Sequence, residues 1–246
     1  MRPWLSIVVP AFNEERRLEQ TLLRLQDYCR QQSYPAEIIV VDDGSTDGTA
    51  DLALKMASAG HGIRLLKNGQ NSGKGYSVRR GMLEAQGEYR LFSDADLSAP
   101  IEEVEKLVPL FDSGYDIVIG SRSVAGANVI AHQPVFRELM GRVFNRLVRG
   151  LLLPGIIDTQ CGFKCFRASA AEAVFRRQTL TGFSFDVEVL YIGSKLGHRI
   201  KEVPITWSHC ADTKVNLIAD PVKMFQDLLR IRIRHRHLLA NQNGKG

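Results

Sequence analysis

Ile38-Ile39-Val40-Val41 runs straight into Asp42-Asp43-Gly44-Ser45-Thr46-Asp47-Gly48, and Thr49 then opens a helical pattern. A short β-branched run closed by a turn of Asp, Gly, Ser and Thr reads as a fully buried strand feeding a helix. The same unit recurs on both sides. Leu5-Ser6-Ile7-Val8-Val9-Pro10 is a buried strand, and Asn13-Glu14-Glu15 opens a helix with Leu18, Leu22 and Leu25 inward. The helix from Thr49 turns Leu52, Met56 and Ala59 inward. Arg64-Leu65-Leu66 is a shorter strand, and Gly73-Lys74-Gly75 leads into a helix through Val78, Met82 and Ala85. Tyr89 to Ser93 is a strand, Ile101 to Phe111 a helix, and Asp116 to Gly120 a strand. This alternation implies an open parallel α/β sheet. Such sheets bind ligands outside the carboxyl ends of their strands.

Carboxylates stand at those ends. Asp42 and Asp43 close one strand, and Asp94-Ala95-Asp96 follows another. Two carboxylates separated by one residue can hold a hard divalent cation, Mg²⁺ or Mn²⁺, that keeps several waters and is completed by substrate phosphates. The Asp42/Asp43 pair suits a nucleotide's ribose or base. Asp also favours turns and helix starts, a plainer use of the same residues. Gly73-Lys74 fails as a phosphate loop of the Walker type. Asn68 stands where that motif needs glycine, and Gly75 where it needs Ser or Thr, so Lys74 reads first as a helix N-terminus, with a loop that brings it near a substrate as the alternative. Arg122 follows the Ile119-Gly120-Ser121 strand end, where its planar fork suits a phosphate and an ordinary surface ion pair is the competing use. Asp158-Thr159-Gln160-Cys161-Gly162-Phe163-Lys164 gathers polar side chains around a glycine and reads as a site wall.

The second half departs from strict alternation. Residues 134–151 form a helix with Phe136, Met140, Val143, Phe144, Leu147 and Leu151 on an apolar face and Arg142, Arg146 and Arg149 on another. Gly162 to Phe166 and Ile200 to Trp207 read as strands, and Phe185 to Leu196 as a helix. A final helix over 221–239 ends in Arg230-Ile231-Arg232-Ile233-Arg234-His235-Arg236-His237, whose alternation also fits a strand.

The chain has 246 residues, 44% hydrophobic and 24% charged, enough for one large core or one domain with an appendage. The net charge of +5 gathers near Arg230, Arg232, Arg234 and Arg236 and suggests an anionic surface. Cys29, Cys161, Cys165 and Cys210 lack C-x-x-C spacing and read as reduced thiols of a cytosolic protein. No signal peptide is visible, and no apolar run approaches the ~20 residues of a membrane span.

Together these stretches resemble the family 2 glycosyltransferases of GT-A fold. The resemblance rests on Pro10-Ala11-Phe12-Asn13-Glu14, Val41 to Thr49, Asp94-Ala95-Asp96, Gly120-Ser121-Arg122 and Asp158 to Lys164. Gly182-Phe183-Ser184-Phe185-Asp186-Val187-Glu188, Trp207, Thr213-Lys214 and Asp227 to Arg232 resemble the dolichyl-phosphate glucosyltransferase branch. The chain departs in showing none of the anchoring segments many members carry, and in Asp212-Thr213-Lys214 where that branch commonly has Gly-Ser-Lys.

The resemblance implies an open, mixed and mainly parallel sheet flanked by helices, with C-terminal basic amphipathic helices. It divides the chain into a nucleotide-sugar transferase domain over 1–210 and a membrane-interface helical extension over 211–246. It implies that Pro10, Phe12, Glu14, Asp42 and Asp43 hold the nucleotide. Asp94 would lie by ribose and metal, and Asp96 would ligate Mg²⁺ or Mn²⁺. Arg122, Arg137 and Lys214 would meet the acceptor phosphate or donor diphosphate, with Asp158 and Gln160 at the reaction centre. The implied reaction is inverting transfer of a hexose, glucose from UDP-glucose, to a polyprenyl phosphate, dolichyl or undecaprenyl. Its partners would be a nucleotide-sugar donor, a polyprenyl-phosphate acceptor and an anionic membrane surface, with no nucleic acid. Its place would be the cytoplasmic face of a membrane. Mannose from GDP-mannose is the nearest alternative. A soluble glycan hydroxyl is another, and would need Asp158 as a base. A sugar-nucleotide pyrophosphorylase would carry a Gly-rich, Arg-containing loop where Pro10 to Glu14 stand, and a nucleic-acid module would rest on the terminal Arg/His run alone.

Overall fold

The computed structural model describes residues 2–60, 62–131, 135–209 and 219–239; the side chains of 135–138, 219–222 and 239 lie outside the described set. In order the elements are β1 (Leu5–Ala11), α1 (Glu15–Gln31), β2 (Ala36–Asp42), α2 (Thr49–Ser58), β3 (Ile63–Lys67), α3 (Lys74–Glu84) and β4 (Tyr89–Ser93). Then come α4 (Val104–Leu107), α5 (Pro109–Asp112), β5 (Ile117–Ser121), β6 (Asn128–Ala131), α6 (Val135–Leu151), β7 (Phe163–Arg167) and α7 (Ala168–Phe175). The chain continues with α8 (Phe185–Lys195), β8 (Ile200–Pro204), β9 (Thr206–Ser208) and α9 (Ala219–Arg234).

Seven strands form one sheet in the order β3-β2-β1-β4-β7-β5-β8. β1, β2, β3 and β4 pair in parallel, as do β5 and β8. β7 runs antiparallel between β4 and β5, with Ser93 opposite Phe163 and Ile119 opposite Lys164. That reversal positions the site. The segment before β7, residues 156–162, arrives at the same edge where β4 and β5 end.

The apolar runs are continuous because both sheet faces are covered. Ile7, Val9, Ile38, Val40 and Leu91 face a core closed by Leu18, Leu22 and Leu25 of α1. Their neighbours Val8, Ile39, Val41 and Phe92 face a second core with Val78 and Met82 of α3, Phe175 of α7 and Phe185 of α8. Each such side chain removed from water contributes about 1.5–3 kcal/mol. Cys161 and Cys165 are buried in the first core.

Several elements differ from expectation. The helix over Ile101 to Phe111 is broken into a 3₁₀ turn at Ile101–Glu103, then α4 and α5. Pro109 has no N–H to continue the helical ladder. The strand expected over Ile200 to Trp207 is two. β8 ends at Pro204 beside Ser121, and β9 pairs with β6 in a separate two-stranded sheet. In α2, Thr49 and Ala53 are buried and Leu52 and Met56 pack half-buried against the first core, while Ala59, just past its end, is exposed. In α6, Val148 and Phe144 pack against the core while Leu139, Val143 and Leu147 face outward; Phe136 lies outside the described side chains. The terminal Arg/Ile run is helical, with Leu228 and Ile231 of α9 in the second core and Phe225, Leu229 and Ile233 exposed. Among the described residues no helix is long and apolar enough to cross a membrane.

Candidate active site

At the carboxyl edge of the sheet, the segments after β1 and β2 are fastened to each other. Asn13 adopts a positive φ of 52°. Its side-chain oxygen accepts the Thr46 N–H at 2.8 Å, and its own N–H donates to Ser45 Oγ at 2.9 Å. The Glu14 N–H donates to Thr49 Oγ1 at 2.7 Å, and Glu15 accepts the Gly48 N–H at 3.0 Å. Pro10, Phe12 and Glu14 therefore stand on a braced wall beside Asp42, which is buried and accepts the Ser45 N–H. Asp43 turns the other way. One oxygen accepts from Asn68 and the Ser72 N–H, the other from the Gly73 N–H, so Asp43 fixes the 68–73 loop behind Asp42.

Asp94 and Asp96 follow β4. Asp96 accepts the Ser98 N–H at 2.9 Å. Asp94 Oδ1 lies 2.6 Å from Lys74 Nζ, at the first residue of α3. A Cβ on Gly162 would lie 2.1 Å from Asp94 Oδ2, so a side chain there would displace this carboxylate. Behind Lys74, Asp186 at the start of α8 pairs with Lys164 of β7, which also donates to the Cys161 carbonyl at 2.5 Å. Burial alone would lower the Lys74 ammonium's pKa. Asp94, Asp186 and Asp96 outweigh burial and raise it to about 12. Burial pushes the Asp186 carboxyl up, against the pull of Lys164 and Lys74. α3 is seated by the Gly75 N–H donating to the Thr181 carbonyl at 2.7 Å.

Arg122, next after β5, grips Asp158 from both sides of its fork. Nε donates to Oδ2 at 2.7 Å and Nη2 to Oδ1 at 2.8 Å, while the Arg122 N–H adds a third bond at 3.0 Å. Asp158 is wholly buried. Burial would raise its pKa, but Arg122, these bonds and Lys164 carry it below the usual carboxylate range. The Arg122 guanidinium is correspondingly raised against the effect of burial, mainly by Asp158 and also by Asp94. Trp207 of β9 lies under it at 5.2 Å. Glu202 holds the loop by accepting the Ile157 and Asp158 N–H groups, and the Gln160 N–H donates to Asp158.

The structure thus brings Asp94, Asp96, Arg122, Asp158 and Gln160 to one edge of the sheet, with Pro10 and Asp42 at the ends of β1 and β2 and Phe12 and Glu14 in the segment after β1 at that edge. The Arg137 side chain and Lys214 lie outside the described residues. Among the described residues no three His, Cys, Asp or Glu side chains gather to hold a metal by themselves. Two aspartates with hard oxygen donors suit a cation that takes its remaining ligands from phosphate and water.

Residues 6–175 match the family model described as Glycosyl transferase family 2. The chain belongs to this family. It is 34% identical over 244 residues to a dolichyl-phosphate β-glucosyltransferase of Dictyostelium discoideum, covering 94% of this chain and 75% of that one. It is 36% identical over 244 residues to one of Homo sapiens, covering 94% and 75%. Its fold resembles that of Mycobacterium tuberculosis glucosyl-3-phosphoglycerate synthase with UDP, at TM-score 0.66 and 22% identity over 94% of this chain and 80% of that one. The same enzyme with Mn²⁺, UDP and glucosyl-3-phosphoglycerate gives 0.63 and 20%, again over 94% and 80%. The GT-A expectation is borne out.

Three side chains of this transferase's site were not picked out by their chemistry in the sequence. In the sequence Lys74 reads first as a helix start and only secondarily as a loop lysine near a substrate, Asp186 only as part of a resemblance, and Glu202 carries no reading. A lysine between two glycines at the sheet's carboxyl edge was the available signal for the first. Asp186 and Glu202 gave none, since both act on segments far away in the chain.

Proposed function

We propose that this transferase moves glucose from UDP-glucose, with inversion, onto the phosphate of a polyprenyl carrier, dolichyl or undecaprenyl. The observation that carries this reading is the Arg122–Asp158 pair. A hydroxyl acceptor needs a general base. Asp158 is the carboxylate placed for that work, yet both its oxygens are held by Arg122 and its pKa is depressed. A lipid phosphate needs no base, because its second pKa is about 6 and it is anionic at neutral pH. The named function of the similar eukaryotic proteins supports the same acceptor.

In this reading Pro10, Phe12, Glu14 and Asp42 hold the uridine, and Asp43 keeps the wall behind them rigid. Asp94 and Asp96 would hold Mg²⁺ or Mn²⁺, which would supply positive charge for the leaving diphosphate. Asp158 and Gln160 line the sugar, with Arg122 fixing Asp158. Arg137 and Lys214 supply cations for the incoming phosphate, since joining two anions needs positive charge between them. Attack opposite the leaving group converts an α-linked sugar to a β-linked one. The acceptor sits in a bilayer, so the exposed apolar residues and arginines of α6 and α9 would rest on an anionic membrane surface on the cytoplasmic side.

The test is direct. Vesicles with polyprenyl phosphate and Mg²⁺ receive labelled UDP-glucose or GDP-mannose in parallel. Label entering the organic phase from UDP-glucose alone is the expected result. Label from GDP-mannose alone, or label recovered only on a soluble glycan, refutes the proposal.

A further inference from the structure

We propose that Lys74 is an internal cation that competes with the divalent metal for Asp94, so that metal and nucleotide bind this transferase as a pair. The inference rests on the donor and metal reading above. Lys74 Nζ stands 2.6 Å from Asp94 Oδ1, directly on one of the two carboxylates assigned to the metal. An ammonium and a dication on the same oxygen repel, so one must give way to the other.

The surroundings allow Lys74 to move without breaking the core. Its backbone is fixed. Gly73 has φ +99°, and a Cβ there would meet the Thr181 carbonyl at 2.4 Å, while a Cβ on Gly75 would lie 2.7 Å from Phe185 Cβ. Its side chain is long and still 24% exposed. Asp186 has its own cation in the wholly buried Lys164, so it is not stranded when the Lys74 ammonium turns away. Lysine carries a compact charge on a flexible stem with three donors, which suits a partner that changes from carboxylate to phosphate.

Charge accounting gives the coupling its sign. Asp94, Asp96 and Lys74 together carry one net negative charge. A dication alone turns that positive, and a nucleotide-sugar diphosphate alone makes it strongly negative. Only the two together restore the starting value. Lys74 is then released from Asp94 by the metal and faces the diphosphate. Each ligand favours the other, and by linkage the effect is reciprocal.

The experiment is Mn²⁺ titration followed by electron paramagnetic resonance of the free ion, with and without saturating UDP. It uses wild type, Lys74→Met and Lys74→Arg, with circular dichroism and melting to verify folding. Wild type is expected to bind Mn²⁺ weakly alone and roughly tenfold or more tightly with UDP, within the usual range of coupling between sites. Lys74→Met is expected to bind Mn²⁺ alone more tightly than wild type, to bind UDP more weakly without metal, and to show a smaller UDP effect on Mn²⁺. Lys74→Arg keeps the charge and is expected to follow wild type. Should Lys74→Met fail to fold, Lys74→Gln carries the same comparison. Mn²⁺ affinity in the uncharged variant equal to or weaker than wild type overturns the competition. Wild type showing no UDP effect on Mn²⁺ overturns the donor and metal reading instead, and the proposal with it.

Discussion

Replacing Arg122 by Ala removes the cation from a carboxylate that is wholly buried. Breaking a buried pair by deleting one partner costs about 3–5 kcal/mol, because the remaining charge is left uncompensated. Arg122 keeps 24% side-chain exposure, and the backbone N–H groups of residues 122 and 160 still reach Asp158 in the variant. The lower half, about 3–4 kcal/mol, therefore applies. For a chain of this size that is a fall in Tm of roughly 6–16 °C. The pH dependence has a definite sign. The folded pKa of Asp158 lies below its unfolded value. The pair therefore contributes stability above the unfolded pKa of about 3.9, and loses it as pH falls through the folded pKa. In Arg122→Ala the same carboxylate destabilises the fold once ionised. The gap between the proteins is thus expected to be widest near neutrality and to narrow towards pH 4. Differential scanning calorimetry from pH 4 to 8 reads it. Lys at position 122 is expected to recover only part of the loss, lacking the two-pronged fork. Arg122→Met with Asp158→Leu is expected to recover most stability and no activity, since it strands no charge but empties the site. A Tm within 2 °C of wild type for Arg122→Ala, or a gap that ignores pH, refutes this account of the pair.

Gly162→Ala places a methyl carbon where the Asp94 carboxylate stands. It is expected to abolish UDP-dependent Mn²⁺ binding while the protein stays folded, and normal Mn²⁺ binding by the variant contradicts the tight approach. Asp42→Ala is expected to raise the donor KM more than it lowers kcat, because it removes binding common to ground and transition states; calorimetry showing unchanged UDP affinity makes Asp42 only a turn residue. Leu139, Val143 and Leu147 on α6, and Phe225, Leu229 and Ile233 on α9, each repeat at every fourth residue and are exposed, among arginines that each contribute about 1 kcal/mol near an anionic bilayer. The protein is expected to float with anionic vesicles at low salt and to be released by high salt, with Val143→Glu and Ile233→Glu weakening the association. Sedimentation away from anionic vesicles at low salt removes the membrane from the proposal.

What could be read in the chain follows from where the deciding forces act. β1, β2 and β4 were legible because strands buried on both faces carry apolar residues at consecutive positions, as in Ile7 to Val9, Ile38 to Val41 and Leu91-Phe92. Asp42, Asp94 and Asp96 were legible because a carboxylate directly after such a strand lies at the sheet's ligand-binding edge. The orientation of α6 was not. Its apolar residues cover too much of the helix for periodicity to select one arc. Val148 went inward with Phe144, while Val143 and Leu147 were left outside. An amphipathic reading assumes that every apolar arc seeks the core, and a helix that also meets lipid would break that assumption. The change of sheet at Pro204 turns on a missing N–H and on the Asn128 N–H reaching the Ile205 carbonyl from a distant segment. Asp158 shows the limit most plainly. Its place in a polar stretch was readable, but its two-pronged pairing and depressed pKa were not, because both depend on the Arg122 guanidinium, brought to it from the end of β5 in another part of the chain. The sequence pattern locates the carboxylate, and the strand reversal at β7 determines which cation meets it.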